Sequence, residues 1–185
     1  MLLFHHALGL TAGCVAFADR LRAAGHVVHT PDLFEGRTFA SLADGVGYAE
    51  QIGFDIIVER GRRAAEGLSG RIVVAGFSLG AMPAQMLAQT CPDTAGAVLL
   101  HGCIPLSVYG DTWPRGVPLQ IHTMDRDELG DVDVARELVA TAEGADLHLY
   151  PGDGHLFTDP GSSDHDEAAA ALVMRRVLEF LQEVG

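Results

Sequence analysis

"RIVVAGFSLGAMPAQMLAQT", residues 71 to 90, decides the fold. It opens as a short apolar run of β-branched residues and closes with the composition of a helix, with Ser78 at the junction between Gly76 and Gly80. A lone hydroxyl needs only solvent or one partner, and neither demands flanking glycines. A sharp strand-to-helix turn that presents a nucleophile does demand them. The serine backbone is strained there, and a side chain two residues before or after it would collide with the turn. The plainer alternative is a tight turn with a capping serine. Pro83 adds a constraint, because its ring crowds the carbonyl of Leu79 unless the first helical turn is irregular.

Outward from this stretch, short β-rich runs alternate with longer helical patterns. The strand candidates are "LLFHH", "HVVHT", "RIVVAGF", "GAVLLHG", "PLQIHTM" and "DLHLYPG", several of them apolar almost throughout, as in strands covered on both faces. Helical patterns fall at "AGCVAFADRLRAAG", from Ser41 to Leu68, at "LGAMPAQMLAQT", at "VDVARELVATAEG" and at "DHDEAAAALVMRRVLEFLQEVG". In the last, Asp164, Asp166 and Glu167 are expected in the first turn, followed by an apolar stripe of Leu172, Val173, Val177, Leu178 and Leu181. The alternation predicts an α/β protein with a mostly parallel, doubly wound sheet and helices on both faces. No repeat, low-complexity tract or linker interrupts it, so residues 1–185 are expected to form one domain.

Ligands of such sheets sit at the carboxyl ends of the strands. Ser78 follows "RIVVAGF", Asp125 and Asp127 follow "PLQIHTM", and His155 follows "DLHLY" in a glycine-rich loop. A serine is a poor nucleophile near neutral pH without a base in hydrogen-bond reach, and the base needs an acid to fix its tautomer and stabilise its cation. Of the two aspartates, Asp127 is favoured because a residue further past the strand end can turn back toward the next loop. Leu79, directly after the serine at a helix N-terminus, presents its N–H where an oxyanion would form.

The whole chain bounds the function. It has 185 residues, enough for a real core, and carries 12 Lys and Arg against 25 Asp and Glu, a formal net charge of −13. That sign repels phosphate backbones, so nucleic acid is not expected as a partner. No apolar stretch approaches a membrane span, and "MLLFHHALGL" lacks the basic start of a signal peptide. Three widely spaced cysteines, Cys14, Cys91 and Cys103, fit reduced thiols in the cytoplasm.

"FHHALGL", "AAGHVVHTPDLFEGRT", "VAGFSLGA", "PLQIHTMDRD" and "YPGDGHLFTDP" occur in an order that resembles the dienelactone hydrolase family of α/β-hydrolases, over nearly the whole chain. The triad order Ser, Asp, His agrees. The "TPDL" turn and the histidine loop are more specific than the serine pentapeptide. The resemblance implies Ser78 as nucleophile, His155 as base, Asp127 as acid, and the N–H groups of Ala7 and Leu79 as the oxyanion hole. Four departures stand out. The dienelactone hydrolases use cysteine where this chain has Ser78, and they carry a glutamate where His6 stands. The arginines that hold the dienelactone carboxylate have no counterpart here, and the family's first strands are missing ahead of "LLFHH". Dienelactone is therefore not the expected substrate.

Weaker signals complete the reading. His5 and His6 are neighbours on a strand and point to opposite faces, so one metal is not held by both; His6 is expected instead at the active-site mouth. "DRDELGDVD" has Leu129 and Arg136 where calcium ligands belong, and "GVGYAE" lacks the third glycine and the strand of a dinucleotide site. Glu35 is a candidate for the cleft, with a surface carboxylate the plainer reading. Tyr109 and Trp113 are candidate pocket walls, with local packing as the alternative. The expected function is a serine hydrolase acting on a small ester, lactone or thioester, without cofactor or metal. A non-catalytic small-molecule-binding protein on the same fold is the competing reading.

Overall fold

In the computed structural model, which describes residues 1–184, the β-branched runs become five strands. These are β1 (Leu2–Phe4), β2 (Ile72–Phe77), β3 (Thr94–Leu100), β4 (Leu119–Met124) and β5 (Ala145–Tyr150), lying side by side in that order and all parallel. Successive side chains alternate between two apolar layers. Leu3, Ala75, Val98 and Leu100 face α1 (Ala12–Ala23) and α6 (Glu167–Val184). Phe4, Val74, Leu99 and Ile121 face α2 (Leu42–Ile52), α3 (Phe54–Ala65), α4 (Ala81–Thr90) and α5 (Val132–Thr141). The expected α/β architecture, a parallel sheet with helices on both faces, is the one observed.

Three expectations are corrected. "HVVHT" forms no strand; only His29 meets the sheet, in a single parallel bridge to Leu2. The Arg22 guanidinium takes the Val28 carbonyl, at 3.1 and 2.7 Å, and Pro31 lacks an N–H, so the ladder cannot lengthen. The stretch from Ser41 to Leu68 is two helices, broken at Gly53, whose φ of 90° no helix accommodates. The last helix begins at Glu167, with the Asp166 side chain accepting from the Ala169 N–H (2.9 Å), which leaves Asp164 outside it. Its buried stripe includes Met174 and Phe180, while Leu172 and Leu178 are only partly buried.

The topology positions the site. The loop leaving β1 turns to α1 on one face, and the loop leaving β2 turns to α4 on the other, so a crevice opens between their carboxyl ends. The two strand ends are pressed together there. A Cβ at Gly80 would lie 2.6 Å from the carbonyl oxygens of both Phe4 and His5, although its φ of −66° suits any residue.

Gly80→Ala is thus a purely steric change against backbone, and should destabilise the protein by about 1–3 kcal/mol in denaturant titration. Gly47→Ala, in the exposed face of α2 with no atom near the added methyl, should instead stabilise by about 0.5–1 kcal/mol. Equal effects at the two positions would remove the steric argument.

Candidate active site

Ser78 has φ 48°, in the left-handed region that a side-chain-bearing residue rarely occupies. Its strain is held by the elements on either side: β2 runs straight into it, and a single 3-10 turn, Ser78–Gly80, leads on to α4. At Gly76 a Cβ would lie 2.0 Å from the Gly80 oxygen, so Gly76 is required by the close approach of the Gly80 carbonyl, and Gly80 by those of Phe4 and His5. The 3-10 turn also answers the constraint set by Pro83, the third residue of α4, whose ring packs against Gly61 of α3.

The Ser78 Oγ lies 2.7 Å from His155 Nε2, and His155 Nδ1 lies 2.8 Å from Asp127 Oδ2. One tautomer satisfies both contacts: Nδ1–H donates to Asp127, and Nε2 accepts the serine hydroxyl. His155 and Asp127 are both buried. The second oxygen of Asp127 accepts the Leu129 N–H at 2.9 Å, and a Cβ at Gly130 would reach Asp127 Oδ2 at 2.8 Å, so the carboxylate is fixed from two sides. Asp125 does other work. It is exposed and accepts the Gly152 N–H at 3.0 Å, bracing the loop after β5.

A cavity of about 410 Å³ opens onto Ser78 and His155. Its walls are mainly apolar, among them Leu42, Val46, Phe54, Met82, Ile104 and Leu129. No lysine or arginine lines it, and the one carboxylate at its edge is Asp131. Ala7 and Leu79 border it on the serine side. Leu79 belongs to the 3-10 turn, whose leading N–H groups have no partner within the turn. In the loop after β1 the Leu8 and Gly9 N–H groups turn back to His6, leaving that of Ala7 free for the cavity. Cys103 also lines the cavity, but burial, reinforced by Asp131, pushes its thiol up to about 12, so it supplies no thiolate near neutral pH.

Four candidates from the sequence lie elsewhere. His6 does not reach the mouth; it is 1% exposed, with Nε2 2.7 Å from Asp159 Oδ2. Glu35 is a surface residue paired with Arg60 at 3.1 Å. Trp113 is buried and donates its indole N–H to the Val117 carbonyl at 2.7 Å, and Tyr109 packs partly buried against the same core. Conversely, sequence reasoning missed His101, which follows β3 with φ 65°, lines the cavity and sits 6.1 Å from the His155 ring. It follows a strand as Ser78 does, so the strand-end rule could have found it.

His6, Cys14 and Asp159 together have the composition of a metal site, their ligand atoms within 4.8 Å of one another. They are satisfied without a cation: Asp159 receives His6, the Thr11 hydroxyl (2.8 Å) and the Gly161 N–H (2.7 Å). Burial alone would lower the His6 pKa, but the bonds to Asp159 and Cys14 outweigh it and hold it at about 9. Burial would likewise raise Asp159, and the bonds from His6, Gly161 and Thr11 bring it down to about 2. The histidine contribution to stability is therefore complete below its unfolded value of about 6.5 and lost as pH rises through about 9. The aspartate contribution is present above about 3.8 and lost as pH falls through about 2. The difference in unfolding free energy between wild type and Asp159→Asn should be largest between those windows, near pH 4 to 6.5, and shrink on both sides; a flat difference would show that the pair carries no charge coupling.

Known proteins share this arrangement of strands and helices. A metagenomic dienelactone hydrolase-like promiscuous phosphotriesterase superposes with a TM-score of 0.76 at 18% identity, over 99% of this chain and 85% of that one. The mouse alpha/beta hydrolase domain-containing protein 10 gives 0.71 at 12% identity, over 100% and 90%. A metagenome-derived lipolytic enzyme gives 0.67 at 15% identity, over 98% and 92%. No curated protein matches the chain in sequence. The model of the dienelactone hydrolase family matches residues 1–185, and with the α/β-hydrolase sheet already described, the chain belongs to that family of hydrolases.

Proposed function

We propose that the protein is a serine hydrolase that cleaves a small neutral ester, lactone or thioester through an acyl-serine intermediate. The observation that carries this reading is the relay from Ser78 Oγ to His155 Nε2 at 2.7 Å and from His155 Nδ1 to Asp127 at 2.8 Å, facing a cavity. His155 takes the Ser78 proton as Oγ attacks the carbonyl, and Asp127 stabilises the imidazolium that forms. The negative oxygen of the tetrahedral intermediate is met by the N–H groups of Ala7 and Leu79. Collapse breaks the bond to the leaving group, which takes the proton from His155. Water, deprotonated by the same ring, then attacks the acyl carbon and returns Ser78. No cofactor takes part.

The cavity argues for the substrate's charge. An apolar site without a cation gives a carboxylate nothing to pair with, and desolvating one there is costly. The net charge of −13 opposes anions further. We assign the protein to the cytoplasm, a reading supported by three free cysteines, two of them buried, and by the absence among the described residues of any helix long and apolar enough to cross a membrane.

Ser78→Ala should leave a folded protein and lower hydrolysis of an activated ester on the order of 10³-fold or more; retained turnover in purified protein would move the nucleophile elsewhere. Asp127→Asn should lower kcat by a factor on the order of 10³ to 10⁴, while Asp125→Asn, which loses only a loop brace, should stay within about tenfold of wild type. The reverse ranking would assign the acid to Asp125. Among matched substrates, a neutral acyl ester should exceed its ω-carboxylate analogue in kcat/KM by about tenfold or more; a preference for the anion would overturn the assignment of substrate charge.

A further inference from the structure

Two loops must be in register for the proposed reaction: the one after β1, which carries Ala7, and the one after β5, which carries His155. Nothing in the relay itself joins them. The join is made one residue before Ala7 and four residues after His155, where His6 Nε2 lies 2.7 Å from Asp159 Oδ2. Neither residue lines the cavity, and both are buried.

The surroundings make this join rigid on each side. The His6 carbonyl accepts the Gly9 N–H at 3.0 Å, and the Leu8 backbone nitrogen packs 3.3 Å from the His6 ring, so the ring and backbone of one residue shape the turn around Ala7. From the other side α2 closes on the same peptide, since a Cβ at Gly45 would stand 2.0 Å from the Ala7 oxygen. Asp159 is seated at the N-terminus of α1. It takes the hydroxyl of Thr11, the residue that also caps α1, and a Cβ at Gly13 would fall within 1.7 Å of Oδ1. The preceding residue, Thr158, bonds His101 Nε2 through its hydroxyl at 2.6 Å. Consecutive residues of the histidine loop are thus held by imidazoles from the ends of β1 and β3.

We propose that His6 and Asp159 are positioning residues for the hydrolytic centre, holding the Ala7 N–H over the oxyanion position in fixed register with His155. The inference rests on the reading of Ser78, His155 and Asp127 as that centre. A donor aimed at developing charge acts in the transition state more than on bound substrate, so its displacement lowers kcat and leaves KM nearly unchanged. A join that served folding alone would lower the folded fraction and leave the rate of each folded molecule intact.

The full chain is assayed with a neutral p-nitrophenyl ester, the active molecules being counted by fluorophosphonate labelling. His6→Leu and Asp159→Asn should each lower kcat per labelled site by about 10- to 100-fold, with KM within about threefold of wild type. His6→Gln, whose amide N–H reaches the place of Nε2–H, should recover most of the loss. A kcat per site within twofold of wild type in Asp159→Asn, or a His6→Gln no better than His6→Leu, overturns the proposal. If both of the first variants fail to fold, Thr11→Val decides, since it removes one donor from the carboxylate; it should lose activity per site by about threefold, and a wild-type value overturns the proposal. Ser78→Ala separates this from the underlying reading: if it stays active the centre itself is misassigned, whereas an inactive Ser78→Ala beside a fully active Asp159→Asn rejects the positioning role alone.

Discussion

The carbonyl groups of Phe4 and His5 occupy the place where a side chain on Gly80 would stand, and much of the structure follows from that contact. It brings the end of β1 against the first turn after β2, next to Ser78, whose backbone lies in the left-handed region at φ 48°. Because the two loops then part to opposite faces, the contact lies at the base of the crevice. Strain at Ser78 is sustained by packing that leaves the turn no other path: Gly76 against Gly80 below it, and Pro83 against Gly61 behind it. A backbone conformation of this kind costs on the order of 1–3 kcal/mol and persists only where its surroundings over-determine it.

The legible parts of the molecule were those decided by local periodicity or by backbone constraint. Five of the six strand runs form strands: four are apolar segments buried in the parallel sheet, and the fifth, "DLHLY", alternates apolar and polar residues along its edge. The glycines around Ser78 and the awkward Pro83 were informative because they restrict the backbone, which acts at short range. "HVVHT" misled because its pairing depends on what its neighbours do with their hydrogen bonds, and Arg22 diverts one of them. Side-chain neighbours across the fold were the least legible. His6 and Asp159 are separated by 153 positions, and nothing in the spacing of either announces the other. Glu35, Tyr109 and Trp113 were candidates by residue type alone, and type does not say which way a loop turns.

The cavity wall explains how a cysteine can border the proposed site without competing for the chemistry. Cys103 is buried and faces Asp131, both of which disfavour a thiolate. Ser78 stands instead at a helix start, with a base already in hydrogen-bond contact. Where the dienelactone hydrolases place a thiol, the proposed mechanism for this chain relies on proton transfer to His155 rather than on an intrinsically acidic nucleophile, which makes the geometry of the imidazole more demanding.

The molecule contains two buried histidine–aspartate pairs of nearly equal length, 2.8 Å for His155 with Asp127 and 2.7 Å for His6 with Asp159. The pairs alone do not distinguish a base from a brace; the other nitrogen of each ring does. His155 directs it at the Ser78 hydroxyl, beside a cavity, where a proton can arrive and leave again with a leaving group. His6 turns it toward the backbone of Leu8, 3.3 Å away, and does not line the cavity at Ser78. The Asp159 carboxylate is also the more heavily bonded, with three donors from three segments of the chain, as suits a fixed anchor. Asp127 receives two, from the Leu129 N–H and from the His155 ring. In the roles proposed here, one side-chain pairing serves motion of a proton in one place and immobility of two loops in the other, and the difference lies in what each imidazole faces.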